Sequence, residues 1–174
     1  IRTAGLGGEI YRRLGASTVT LPPSEIFRAL QTGAIDAVEF LGPFSDRGLG
    51  FNQAADHYYF PGFNKPNGTA EALVNANLWA NLPSHIKAAV QNACDAENDA
   101  GLAEATWFNA QALAALKGDG AVIGPMPTDI LEASRATAKD VISEFAGKDA
   151  MTQRVQASYD KALSALAPWE ALQG

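Results

Sequence analysis

An α/β lobe with a mainly parallel sheet flanked by helices is the fold class this sequence predicts, and three observations carry it. The first forty residues alternate short β-rich runs with helical runs, an order that requires crossover connections and therefore parallel neighbours. From Ser84 to Lys117 there is no proline and one glycine, Gly101, which reads as a single long helix. The remainder, from Ala121, holds one short β-rich run and two further helical patterns.

The elements follow in order. Ile1 to Ala4 reads as a first strand and Gly5-Leu6-Gly7-Gly8 as a turn. Glu9 to Leu14 reads as a short helix, with Ile10 and Leu14 at i, i+4 and Gly15 closing it. Ser17 to Leu21 is β-branched and alternating, which predicts a second strand. Pro22-Pro23-Ser24-Glu25 opens a helix with Ser24 as its N-cap; Ile26, Phe27 and Leu30 form its apolar face, and Gly33 stops it. Ala34 to Phe40 is expected as a third strand. Gly42 to Gly50 is rich in glycine and breaks the pattern, Phe51 to Asp56 is a helical turn, and an aromatic run from His57 to Phe63 follows. Thr69 to Val74 reads as a strand and Asn75 to Trp79 as a turn entering a helix. In the long helix Ile86, Val90, Ala93, Trp107, Leu113 and Leu116 recur at roughly helical period. At ~1.5 Å per residue it is about 50 Å long, more than a small domain is wide, so it predicts a span across two lobes or packing in an oligomer. Ala121 to Ile123 is a short strand, Thr128 caps a helix running to Phe145, and a last helix runs from about Ala150 to Leu166, ended by Pro168.

Composition removes several classes of function. The formal net charge of −6 argues against a nucleic-acid or anionic-membrane surface, which needs a basic patch. No run approaches the ~18–20 apolar residues of a membrane span. Cys94 is the one cysteine, so neither an intramolecular disulfide nor a multi-thiolate metal site can form. The chain begins at Ile1, inside an expected strand, which reads as an internal point of a longer protein.

Against that background two charged residues stand out. Glu39 ends an apolar run just before Gly42-Pro43, the strand end where ligands bind in open α/β sheets. Its carboxylate and the Phe40 carbonyl would suit a hard cation such as Na⁺ or Ca²⁺, since oxygen-only ligation favours hard ions; a capping or salt-bridged acid is the plain alternative. Arg2 has the planar fork that holds both oxygens of a carboxylate, its plain alternative being a strand arginine paired with a surface acid. The glycines at 5 and 7 would suit a dinucleotide fingerprint only with glycine or alanine at position 10, where Ile10 stands. His57 and His85 have no metal-spaced partners, there is no Gly-x-Ser-x-Gly elbow, and no catalytic set emerges. No organic cofactor is expected.

The pattern Arg2-x-x-Gly5-x-Gly7-Gly8-Glu9, then Leu14-Gly15-Ala16, then Thr20-Leu21-Pro22-x-x-Glu25-Ile26-Phe27-x-Ala29-Leu30-Gln31-x-Gly33-Ala34-Ile35-Asp36-Ala37 resembles the extracytoplasmic solute receptors of TRAP (tripartite ATP-independent periplasmic) transporters, the DctP-like family. Glu39-Phe40-x-Gly42-Pro43, the Tyr58 to Phe63 segment and Leu82-Pro83 are similar to the branch that binds 2-oxo acids and related monocarboxylates, often with a metal.

The resemblance implies a periplasmic binding protein-like lobe. Residues 1–174 would be the C-terminal half of a two-lobed receptor, with a sheet-forming segment over 1–75, a spanning helix over 83–117, and a C-terminal strand and helices over 121–174. It implies that Arg2 grips the substrate carboxylate and that Glu39 ligates the metal by its side chain, with Phe40 adding its main-chain carbonyl. Phe40 and Phe63, which the resemblance places against the substrate, stand where tryptophan is common in that branch. Lys65 stands where metal-binding members carry an acid, and its ammonium meeting Glu39 in the cation's place is the alternative. The implied partners are a small organic carboxylate and the membrane subunits of a TRAP permease in the periplasm, with a homodimer formed by exchange of helices over Met151 to Trp169. Two other classes stay open: an α/β enzyme on small oxo acids using Glu39 as base, and an oligomerisation module built on the long helix.

Overall fold

A computed structural model describes residues 1–63 and 71–173. Among these, the helices are α1 (Leu6–Arg13), α2 (Pro23–Gln31), α3 (Pro43–Gly48), α4 (Ala76–Asn81), α5 (Ser84–Gly118), α6 (Thr128–Ala146) and α7 (Ala150–Gln173). The strands are β1 (His57–Phe60) and β2 (Val122–Pro125), and a 3-10 turn covers Phe51–Gln53. The chain divides into two compact units: Ile1–Arg2 with Leu21–Met126, and Thr3–Thr20 with Pro127–Gly174.

The first unit is α/β with parallel pairing. Pro23 occupies the first position of α2, where its fixed φ suits a helix and its missing N–H removes an orphan donor. The cap is Pro22 rather than Ser24, which lies inside the helix. At the other end the chain reverses at Gly33 with φ 72°, a conformation that costs glycine least. Ile26 and Leu30, one turn apart, are buried with Ile35 and Phe51, and Phe40 packs on this cluster edge-to-face with Phe51 at 5.8 Å. Burying a side chain the size of Ile26 contributes about 2–3 kcal/mol, so this cluster is the anchor beneath the 35–40 segment.

Gly42 to Gly50 was expected to break the pattern; instead Pro43 starts α3, and Asn109 of α5 accepts from the Phe44 N–H at 3.0 Å. Phe44 also stacks on Phe108, ring centroids 5.2 Å apart. A Cβ at Gly42 would lie 3.0 Å from Asn109 Oδ1, so the close approach of α5 explains the glycine. β1 and β2 pair in parallel from His57 with Val122 to Phe60 with Pro125, which turns the aromatic run into a strand.

The long helix forms as expected and is 35 residues long. Its anticipated apolar stripe is mostly not covered: in the whole helix only Ala112, off that stripe, and Leu116 are buried, while Ile86, Trp107 and Leu113 are exposed. α3 packs on it near Phe108 and Asn109, and a helix of ~1.5 Å rise per residue outreaches so short a neighbour.

Three expected strands are corrected. Ile1 to Ala4 and Ala34 to Phe40 meet at one parallel bridge, Arg2 with Val38. It is closed by Arg2 N–H to Ala37 O at 2.8 Å and Glu39 N–H to Arg2 O at 2.9 Å. Ser17 to Leu21 contributes a bridge position at Val19 only. A ladder needs successive paired residues, and the chain leaves the pairing after Arg2, with Gly5 at φ 64° leading into α1. The strand expected over Thr69 to Val74 lies partly outside the described residues, and Glu71 to Val74 are not strand.

In the second unit α1 begins at Leu6, so the anticipated glycine turn is helix, with Gly7 and Gly8 buried. A Cβ at Gly8 would stand 3.5 Å from Thr3 Cγ2. α1 packs on α6, where Arg13 bonds Glu144 through Nη1 at 2.9 Å and Nη2 at 2.6 Å. α6 is capped by Pro127, with Thr128 inside it. α7 opens on Asp149, whose Oδ1 accepts from Met151 N–H at 2.8 Å and Thr152 N–H at 2.9 Å. It continues through Pro168 to Gln173; an internal proline costs one hydrogen bond and some bending but does not forbid the helix. No helix among the described residues is long and apolar enough to cross a membrane.

Candidate functional site

The site grows from the Arg2–Val38 bridge in the first unit. Because Arg2 is main-chain paired to the 37–39 segment, its side chain leaves the backbone beside Glu39 and Phe40. It is 9 % exposed, and burying a guanidinium is costly unless its donors are met. They are met by neutral oxygens: Nε and Nη2 each donate to Leu21 O at 3.2 Å, and Nη1 donates to Glu39 O at 3.1 Å. The Arg2 Cζ stands 5.1 Å from the centroid of the Phe40 ring. Carbonyl oxygens and a ring face fix the fork in space without cancelling its charge.

A second polar group adjoins this corner. Asp46, in the first turn of α3, accepts from the Tyr58 hydroxyl on β1 through Oδ2 at 2.9 Å, and from the Leu41 N–H through Oδ1 at 3.4 Å. Burial pushes the Asp46 carboxyl up from its ordinary range; the Tyr58 hydroxyl and Leu41 N–H oppose this, and the nearby Glu39 charge adds to it. Burial also raises Tyr58, with the Asp46 charge and hydrogen bond acting the same way. The Asp46 and Glu39 acids thus lie near enough for the Glu39 charge to disfavour the ionised form of Asp46.

The structure thus brings Arg2, Glu39 and Phe40 together. Phe63 is half-buried, three residues past the end of β1, and its place in a pocket rests on the resemblance. Lys65 lies outside the described residues. Sequence reasoning missed Asp46 and Tyr58. The opener Gly42-Pro43 followed by an acid in the first turn was a usable signal for Asp46, whereas Tyr58 lies within an aromatic run that gives it no mark of its own. The donors on offer, a carboxylate and main-chain carbonyls, are all oxygen and fit part of the shell of a hard cation. No cluster of three or more His, Cys, Asp or Glu occurs among the described residues, so any such ion would draw its remaining ligands from elsewhere.

The family described as bacterial extracellular solute-binding protein, family 7 (DctP), matches residues 1–149. The chain belongs to this family. It is 38% identical over 155 residues to a monocarboxylate 2-oxoacid-binding periplasmic protein of a Nostoc species, covering 89% of this chain and 43% of that protein. It is similar to a crystal structure of a TRAP transporter solute-binding protein from Bordetella bronchiseptica, at 30% identity and a TM-score of 0.93, covering 98% of this chain and 51% of that one. That structure is a dimer of mixed occupancy, with calcium and picolinate in one active site and the other empty. A TRAP periplasmic solute-binding protein from Pseudoalteromonas atlantica, with bound sodium and pyruvate, matches at 27% identity and a TM-score of 0.85, over 97% of this chain and 51% of that one. The chain spans about half the length of these relatives. The family is one of extracellular solute-binding proteins, and these neighbours are solute-binding proteins of TRAP transporters.

Proposed function

We propose that this chain is the C-terminal half of a two-lobed periplasmic receptor that binds a small organic carboxylate, a 2-oxo or 2-hydroxy acid, and delivers it to the membrane subunits of a TRAP permease. The observation that carries the reading is the buried Arg2 fork, held by the carbonyls of Leu21 and Glu39 while its charge stays uncancelled by them. Those three bonds engage three of the five guanidinium N–H groups. Among the described residues the other two have no partner shown, and they suit a carboxylate, which would also supply a counter-charge.

A sodium or calcium ion beside Glu39 and the Phe40 carbonyl would neutralise that acid and offer a Lewis-acidic partner to the ligand's second oxygen. A relative named for binding 2-oxoacids, and neighbours holding calcium with picolinate or sodium with pyruvate, support this choice of ligand and ion. Residues 1–75 would form the sheet-bearing part of the lobe, α5 the helix that spans both lobes, and 121–174 the C-terminal strand and helices. The largely uncovered α5 is in keeping with a second lobe along it. A homodimer through α7 is supported by exposed Met151, Val155, Tyr159 and Leu163 at i, i+4 spacing along that helix.

The test is thermal. In the full-length receptor pyruvate is expected to raise the melting temperature, and Arg2→Ala is expected to abolish that rise. An unchanged rise overturns the carboxylate role of Arg2.

A further inference from the structure

Asp46 and Tyr58 lie outside the set of residues taken above to touch ligand or ion, yet their geometry bears on it. The Leu41 N–H and the Phe40 C=O are the two ends of one peptide unit. That unit is planar and trans, so its N–H and C=O point in opposite directions. Holding the N–H therefore aims the carbonyl.

The preceding carbonyl, that of Glu39, is taken by Arg2 Nη1 at 3.1 Å. The next peptide is gripped from its other end by Asp46 Oδ1 at 3.4 Å. Asp46 is itself fixed at two points: its backbone N–H donates to Gly42 O at 2.9 Å, and its Oδ2 accepts from Tyr58 Oη at 2.9 Å. Tyr58 sits on β1, which is paired along its length with β2, so the carboxylate is tied to a regular element. The loop has little freedom elsewhere: Asn109 Oδ1 holds Phe44 N–H at 3.0 Å and stands 3.0 Å from the place of a Gly42 Cβ.

We infer that Asp46, steadied by Tyr58, is a positioning residue that aims the Phe40 main-chain carbonyl at the cation and strengthens it as a ligand. A carboxylate at the N–H end of a peptide polarises the unit, drawing the proton toward itself and leaving more negative charge on the carbonyl oxygen. Outer partners of metal ligands act in this way, and losing one typically costs about 10–100-fold in metal affinity. The inference rests on the cation reading proposed above.

The experiment is pyruvate titration calorimetry on the full-length receptor across a series of calcium chloride and of sodium chloride concentrations, beside the melting-temperature rise given by each salt without pyruvate. Asp46→Ala should raise the cation concentration needed for half-maximal pyruvate affinity by about tenfold or more. Pyruvate affinity at saturating cation should stay within about threefold of wild type, because the Arg2 contact is untouched. Tyr58→Phe, which removes one hydroxyl and keeps the ring, should shift the same midpoint by a few fold and serves where Asp46→Ala does not fold. A purely structural role would lower the melting temperature and weaken pyruvate equally at every cation concentration; that result, or an unshifted midpoint in both variants, overturns the inference alone. A wild-type receptor indifferent to both ions overturns the cation reading and this inference with it.

Discussion

Among the described residues, Arg2 in the first unit and Arg13 in the second each make three side-chain hydrogen bonds. Arg2 spends its bonds on the carbonyls of Leu21 and Glu39 and is buried. Arg13 spends its bonds on carboxylates, one from Glu9 at 3.0 Å and two in a fork with Glu144, and is exposed to solvent. The acceptors decide what each can do next. A guanidinium between two acids is already neutralised, and the paired carboxylate of Glu144 is held below its ordinary range by that hydrogen bond. A guanidinium among carbonyls is oriented but still cationic, so an arriving anion finds a prepared charge. Count of hydrogen bonds is thus a poor guide to function; the formal charge of the partner separates Arg13 from Arg2, the arginine proposed to bind.

Exchanging each arginine for lysine should break or uphold this distinction most visibly. In the full-length receptor Arg2→Lys keeps the charge and loses the fork, and pyruvate affinity should fall by about tenfold or more, read by calorimetry. Arg13→Lys should leave pyruvate affinity unchanged. Equal losses in the two variants would mean that the acceptor argument fails.

Ser134 gives a smaller test, of how the units treat buried polar groups. Arg2 is buried with its donors met, whereas Ser134, 1% exposed on α6, has no hydrogen-bond partner for its hydroxyl oxygen among the described residues. Ser134→Ala removes an unmet group at little change of volume and should stabilise the protein by up to about 1 kcal/mol, measured by urea denaturation. A clear loss of stability would show that the hydroxyl has a role this contrast overlooks.

The smallest effect belongs to the Arg13–Glu144 pair. A carboxyl lowered in the folded state contributes stability above its unfolded pKa and loses it as pH falls through the folded value. The difference in melting temperature between wild type and Arg13→Ala should therefore be slight near neutrality, where solvent screens exposed pairs, begin to shrink as pH falls through the ordinary glutamate range of about 4.3, and vanish once the pH is below the lowered folded value of Glu144. A difference that grows on acidification would reverse the sign and exclude the pair as its source.

Much of the architecture was legible because it is local. The double proline at 22–23 and the glycine at 33 bound α2, and the proline-free run from Ser84 marks α5. Glu39 stood out as a charge ending an apolar run, and Arg2 as a fork in the first apolar segment. Other features were misread for want of a neighbour. Ile1 to Ala4 and Ala34 to Phe40 have the composition of strands but share one bridge, since ladder length depends on where the partner backbone runs. The Gly5 to Gly8 turn became the start of α1, and Gly42 to Gly50 became α3 once Pro43 and Asn109 were in place.

The sequence by itself determined the extents of α2 and α5, that the class is α/β with parallel pairing, and which two charged residues are candidates for a binding role. Each of these rests on the conformational preferences of a few adjacent residues. Only the tertiary structure decided that Arg2 is answered by carbonyls and that Asp46 meets both Tyr58 and the peptide following Phe40. Those contacts join residues 37, 19 and 12 positions apart. No local preference encodes them, because hydrogen bonds act over about 3 Å in space whatever the separation along the chain.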